Sequence, residues 1–296
     1  MAAPNPNRMT WTAVAERAQI EAESWGDRSD PAVLLIAGTS CSRDWWPPSL
    51  CEMLAAAGAF VIRFDQRDTG ASTHCPVGAP DYGLGDLAAD ATAVLDAVDV
   101  ERSHLVGMSQ GGWVAQLVAL ERPERVASLT LIATRPTGHG PADADLPELS
   151  DDLLAAWQAQ VEPDWDDREA VVDFLVEGER VLAGRRFDAD AVRAVCETAM
   201  LRAIDIRAAG NHPMMRPTPR WRERLGAIAV PTTVLHGTLD PLFPIGNGEA
   251  LAREIAGAEL LAMDGVGHEV PRRVWPSVVD AVARGLRSGA ADPGPR

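Results

Sequence analysis

The sequence predicts an α/β fold, a mostly parallel central sheet flanked by helices, with a helical insertion late in the chain. Short, wholly apolar runs alternate with longer helical patterns, as expected of a parallel sheet whose strands are buried on both faces. One of these runs leads directly into a Gly-x-Ser-x-Gly turn followed by a helical pattern. The alternation then stops after Thr134 and resumes only beyond Leu225.

The strand-like runs fall at 33–36, 60–64, 104–106, 129–132, 232–235 and 260–263. Helical patterns lie between them at 50–57, 84–97, 110–120, 249–255 and 274–286. Residues 21–25, just before Gly26-Asp27, are expected to form an early antiparallel edge strand. Within the interruption, 153–161, 169–182 and 188–206 carry apolar residues at helical spacing and no strand-like run appears. The predicted organisation is therefore a core over 1–134 and 226–287, a helical cap or lid over 135–225, and a loose Gly-, Ala- and Pro-rich tail over 288–296.

A chain of 296 residues can bury a full core. Its net charge of −16 argues against a nucleic-acid or anionic-membrane partner, because both would repel it. All 27 basic residues are arginine. The absence of lysine excludes Schiff-base chemistry and a lysine-dependent phosphate loop. Cys41, Cys51, Cys75 and Cys196 have no metal-ligand spacing and are expected to be reduced packing residues. No apolar run reaches the ~18 residues a membrane helix needs, and no signal peptide is evident, so a cytoplasmic location is expected.

Ser109 is the candidate nucleophile, within Gly107-Met108-Ser109-Gln110-Gly111. Small residues two before and two after the serine let strand and helix approach closely, and the helix N-terminus favours developing negative charge. A serine needs a base and an orienting acid to react at neutral pH. Four histidines follow it. His139 and His212 fall in the insertion and are expected to be surface or cap residues, and His236 ends a strand run as a structural residue would. His268, in Gly265-Val266-Gly267-His268 between the last strand run and the last helix, is the candidate base. Asp240, in the loop after the 232–235 run, is the candidate acid. The preceding strand end, Ala133-Thr134-Arg135-Pro136, offers no carboxylate, and Asp264 is expected to be a turn former. The backbone N–H groups of Thr39, after Gly38, and of Gln110 are the expected oxyanion donors.

Together with Asp65-Gln66-Arg67-Asp68-Thr69-Gly70-Ala71-Ser72, Tyr82-Gly83-Leu84 and Asp86-Leu87-Ala88-Ala89-Asp90, these motifs resemble the α/β-hydrolase superfamily over nearly the whole chain. Within it, the chain is similar to bacterial hydrolases of the aclacinomycin methylesterase type. The Arg67-Asp68-Thr69-Gly70 stretch is the most discriminating, since most of the superfamily has glycine at Asp68. Its expected job is a charged turn supporting the oxyanion loop. Many relatives have His-Gly where this chain has Ala37-Gly38, which removes a side chain that often braces that loop.

The resemblance implies a serine esterase that acts on a small-molecule carboxylic ester without metal or organic cofactor, with a methyl ester on a polyketide-type ring system as the model. For a bulky aromatic substrate, Trp45, Trp46, Trp157, Met214, Met215 and Phe243 are the candidate pocket walls. The same triad serves lactone, thioester and carbon–carbon bond hydrolysis and cofactor-free perhydrolysis, and a non-catalytic binder on this scaffold is the alternative of another class. Epoxide and haloalkane hydrolysis are disfavoured, because they require a carboxylate where Ser109 stands.

Overall fold

The apolar runs assemble into one eight-stranded sheet in the computed structural model, which describes residues 8–291. In chain order the core elements are β1 (Met9–Ala15), β2 (Ala18–Trp25), β3 (Ala32–Ile36), α1 (Pro48–Ala56), β4 (Phe60–Phe64), α2 (Leu84–Asp96), β5 (Ser103–Met108), α3 (Gln110–Glu121) and β6 (Val126–Ile132). The insertion contributes α4 (Asp151–Ala159), α5 (Arg168–Leu182) and α6 (Ala189–Arg202), and the core closes with β7 (Thr232–Gly237), α7 (Gly246–Glu254), β8 (Glu259–Met263) and α8 (Trp275–Ala291). The strand order is β1-β2-β4-β3-β5-β6-β7-β8. Every pairing from β4 onward is parallel, and β1 and β2 are antiparallel additions.

All five residues of β3 and all five of β4 are buried. Alternate side chains of β3 enter opposite cores: Leu34 and Ile36 pack with α2 and α3, Val33 and Leu35 with α1 and α8. Each such Leu or Ile contributes about 1.5–3 kcal/mol of transfer free energy. This two-sided burial leaves no polar alternation in the sequence.

Two expectations are corrected, and one strand, β1, has no counterpart among the predicted runs. The 21–25 strand is antiparallel, but β1 pairs along its outer side, so it is not an edge. β1 itself has one buried residue in seven, and a strand so exposed carries no apolar run to betray it. At the other end, residues 288–291 belong to α8 rather than to a loose tail, and 292–296 lie outside the described residues.

Between Ile132 and Thr232 the described structure contains helices and loops but no named strand. The chain supplies each helix with a start: Ser150, Asp167 and Asp188 accept hydrogen bonds from backbone N–H groups in the first turns of α4, α5 and α6. Such caps contribute about 1 kcal/mol each. Two 3₁₀ segments, Ile206–Met214 and Arg222–Ala227, lead back to β7. The insertion is tied to the core over the strand ends. Arg202 of α6 pairs with Asp44 and Asp65, Trp45 Nε1 donates to Glu179 of α5 at 2.9 Å, and the His268 N–H donates to the Leu182 carbonyl at 2.7 Å.

Candidate active site

Ser109 joins β5 to α3 with φ 52° and ψ −120°, a left-handed conformation that costs a non-glycine residue of order 1–3 kcal/mol. The surroundings hold it there: its N–H donates to the Ile132 carbonyl at 2.9 Å, and Thr134 Oγ1 donates to its carbonyl at 2.7 Å. The flanking glycines are required by contact. A Cβ on Gly107 would lie 2.3 Å from the Gly111 carbonyl oxygen, and one on Gly111 would lie 2.2 Å from the Ile36 carbonyl oxygen. The turn is thus wedged against β3, the strand that leads into the Gly38-Thr39 loop.

The structure brings Asp240 and His268 together from the loops after β7 and β8. Asp240 Oδ2 accepts from His268 Nδ1 at 2.8 Å, while Oδ1 accepts the N–H groups of Leu242 and Phe243 at 2.9 and 2.8 Å. Three fixed donors leave the carboxylate little rotational freedom, and they hold the imidazole in the tautomer whose Nε2 is a free base. Ser109 and His268 line one cavity of about 430 Å³, with no direct hydrogen bond between them among the described residues. Such contacts commonly tighten only when substrate is bound.

Of the rival groups, His236 lies beside Asp240, its Nε2 3.5 Å from Oδ2. Asp264 is exposed on its turn. His236 is buried, its Nε2 donates to the Phe243 carbonyl at 2.6 Å, and burial lowers its pKa. His139 lies at the cavity wall, edge-on to Trp113 with ring centroids 4.8 Å apart. His212, expected as a surface or cap residue, lies in the insertion within Ile206–Met214 and is fully buried.

Gly38 lies against the serine, where an added Cβ would sit 3.4 Å from Ser109 Cβ, and Thr39 lines the cavity beside it. No hydrogen bond among the described residues takes up the Thr39 N–H. The Gln110 N–H is the first of α3 and so one of the unpaired donors at a helix N-terminus. The Gly38-Thr39 loop is supported from behind by Gln66, whose Nε2 donates to the Ala37 and Gly38 carbonyls at 3.0 and 3.2 Å. Within the Arg67-Asp68-Thr69-Gly70 stretch, Asp68 accepts from Tyr82 Oη at 2.7 Å and Asn211 Nδ2 at 2.9 Å.

Of the six candidate wall residues, Trp45, Trp157 and Phe243 line the cavity. Trp46 does not: it is 1% exposed in the core with α1 and α8, on the opposite side of its chain from Trp45. Met214 is exposed, and Met215 lines a separate cavity of about 400 Å³ beside Arg216 and Trp221. The wall also holds residues that sequence reasoning did not single out, among them Trp113, Arg135 and Glu179. Arg135 Nη2 donates to the Gly138 and Gly140 carbonyls at 2.6 Å each, and its guanidinium lies 4.9 Å over the Phe243 ring. Burial lowers its pKa. Burial likewise raises the Glu179 carboxyl above its usual range, against the opposing Trp45 hydrogen bond. The only sequence signal for Arg135 is its place at a strand end.

Residues 31–170 match the family model described as alpha/beta hydrolase fold, and residues 205–294 match one described as TAP-like protein. The chain is 35% identical over 291 residues to a rhodomycin D methylesterase of Streptomyces peucetius, covering 90% of this chain and 94% of that one. A rhodomycin D methylesterase of Streptomyces sp. strain C5 is 34% identical with the same coverage. Among solved structures, an esterase of Exiguobacterium antarcticum superposes with TM-score 0.76 at 19% identity, covering 95% of this chain and all of that one (100%). The esterase RhEst1 of Rhodococcus sp. ECU1013 superposes with TM-score 0.73 at 23% identity, covering 93% and 98%. At these identities the two superpositions speak for the fold alone.

Proposed function

Because the chain belongs to the α/β-hydrolase family, we propose that it is a carboxylic-ester hydrolase using Ser109, His268 and Asp240 in two-step acyl transfer. The observation that carries this reading is a single cavity onto which the strained Ser109 turn and the Asp240-held imidazole both open.

Ser109 Oγ attacks the ester carbonyl carbon as His268 Nε2 takes the hydroxyl proton. The negative oxygen is held by the Thr39 and Gln110 N–H groups, which need no reorganisation as charge develops. The carbon–oxygen bond of the leaving alcohol breaks, and the alcohol departs with the proton from His268. Water then attacks the acyl-serine, giving up a proton to His268, and the carboxylic acid leaves as the proton returns to Ser109. The helical segment 135–225 acts as a cap that supplies much of the pocket wall.

The substrate proposed is a methyl ester on a bulky aromatic ring system. Two features support it: the likeness to proteins named as rhodomycin D methylesterases, and aromatic walls from Trp45, Trp113, Trp157 and Phe243. A panel of methyl esters of polycyclic aromatic acids, simple aryl esters, lactones and thioesters tests the reading. Polycyclic methyl esters are expected to give the highest kcat/KM. A clear preference for lactones or thioesters would overturn the substrate class, and no turnover of any member would favour a binding protein.

A further inference from the structure

We propose that His212, carried by the helical insertion, is a positioning residue that aims the Thr39 and Gln110 N–H groups at the oxyanion. The inference rests on the serine-esterase reading above. His212 is fully buried, in the 3₁₀ segment Ile206–Met214. Its ring joins three stretches of chain far apart in sequence. Nδ1 accepts the Ser40 N–H at 2.9 Å and faces Gln110 Nε2 at 3.2 Å, and Nε2 donates to the Arg67 carbonyl at 2.8 Å. Gln110 in turn accepts from Thr39 Oγ1 at 3.2 Å. One ring nitrogen therefore touches Gln110 itself and the residue next to Thr39.

The geometry makes this more than packing. Ser40 has φ 60°, a left-handed conformation that a non-glycine residue keeps only when its surroundings hold it. Binding the Ser40 N–H fixes the Thr39–Ser40 peptide plane, which adjoins the Gly38–Thr39 plane that carries the Thr39 N–H, and so limits how far that donor can swing. The Ser40 Oγ donation to the Ala209 carbonyl at 2.7 Å adds a second tie to the same segment. The neighbouring Asn211 is itself anchored, through Nδ2 to Asp68 and through Oδ1 accepting the Gly78 N–H at 2.7 Å. The ring must be neutral with its proton on Nε2, since a second N–H would face the Ser40 donor, and burial favours the neutral form. The insertion is thereby a structural part of the oxyanion site as well as its roof.

The test compares His212→Leu, His212→Asn and His212→Gln with the wild type on one aryl ester. The readouts are kcat, KM, melting temperature and the inhibition constant of a boronic acid that mimics the tetrahedral state. The asparagine carbonyl can occupy the Nδ1 position and accept from Ser40, whereas the longer glutamine overlays the Nε2 side. Since losing one oxyanion donor costs 10²–10³ in kcat, misaiming one by His212→Leu should cost about 10–100-fold. KM should move less than about threefold, and boronate binding should weaken in step with kcat. His212→Asn should recover most of the loss and His212→Gln less. The proposal is overturned by a folded His212→Leu with kcat within about twofold of wild type. It is equally overturned if activity follows melting temperature alone, with asparagine and glutamine alike. Should His212→Leu fail to fold, the asparagine–glutamine comparison decides. An active Ser109→Ala would sink the esterase reading instead, so the two failures are distinguishable.

Discussion

Gly111→Ala probes how tightly the proposed catalytic turn is wedged into the sheet. The new methyl group would sit 2.2 Å from the Ile36 carbonyl oxygen and 2.6 Å from that of Ala37, where ordinary contact begins at 3.4 Å. Both obstacles are backbone, so α3 and β3 must separate by about 1 Å, carrying the Gln110 N–H away from the Thr39 loop. A displacement of that size in a catalytic constellation costs on the order of 100-fold in turnover, and the forced overpacking costs about 1–3 kcal/mol in stability. The matched control is Gly85→Ala in α2, where an added Cβ meets nothing within 4 Å. It should leave kcat unchanged and raise stability by up to about 1 kcal/mol. Steady-state kinetics with thermal unfolding reads both. A Gly111→Ala enzyme with wild-type kcat and melting temperature would refute the reasoning, since it would mean the turn has slack the contacts deny.

Other consequences follow from the same contacts. Asp240→Asn should keep the fold yet lower kcat on the order of 10⁴-fold, because the amide no longer enforces the productive His268 tautomer; a loss under tenfold would remove Asp240 from its role. Trp157→Ala should raise KM for polycyclic esters about tenfold while sparing small acetates, and equal effects on both would take Trp157 out of substrate recognition. His104 of β5, buried against Ser128 and Thr130 of β6, has its pKa lowered by burial to about 3. The unfolded chain takes up that proton near pH 6.5 and the native one only near pH 3, so stability should fall by about 1.4 kcal/mol per pH unit below 6.5. Urea titrations from pH 7 to 4.5 should show a flatter dependence for His104→Gln; an unchanged slope would mean His104 does not contribute.

Much of the core was legible because physics there is local. Strands buried on both faces must be continuously apolar, and the helices between them must carry a periodic apolar stripe, so β3 to β8 and α1 to α3 stand where the pattern predicted. β1 escaped because an exposed edge strand needs no such run. The turns that carry Ser109, Asp240 and His268 were legible because such turns have few sequence solutions. The pocket was not, because adjacent residues can face opposite ways: Trp45 meets the cavity while Trp46 fills the core. Nor was His212, whose partner Ser40 lies 172 positions away and whose role depends on how the insertion folds back. Ala37 lacks the bracing side chain of its relatives, and a ring from a distant segment meets the loop instead.

Covalent labelling of the folded protein with a fluorophosphonate, followed by tryptic peptide mapping, tests the central claim most directly. Trypsin should release Ser109 within 103–125, because Arg122 precedes Pro123 and the bond between them resists cleavage. The account predicts one phosphonyl group on that peptide, on Ser109 rather than Ser103 by fragment ions. Labelling should be matched by loss of esterase activity and absent in Ser109→Ala. Modification of another residue, or full esterase activity in the Ser109→Ala protein, would contradict it.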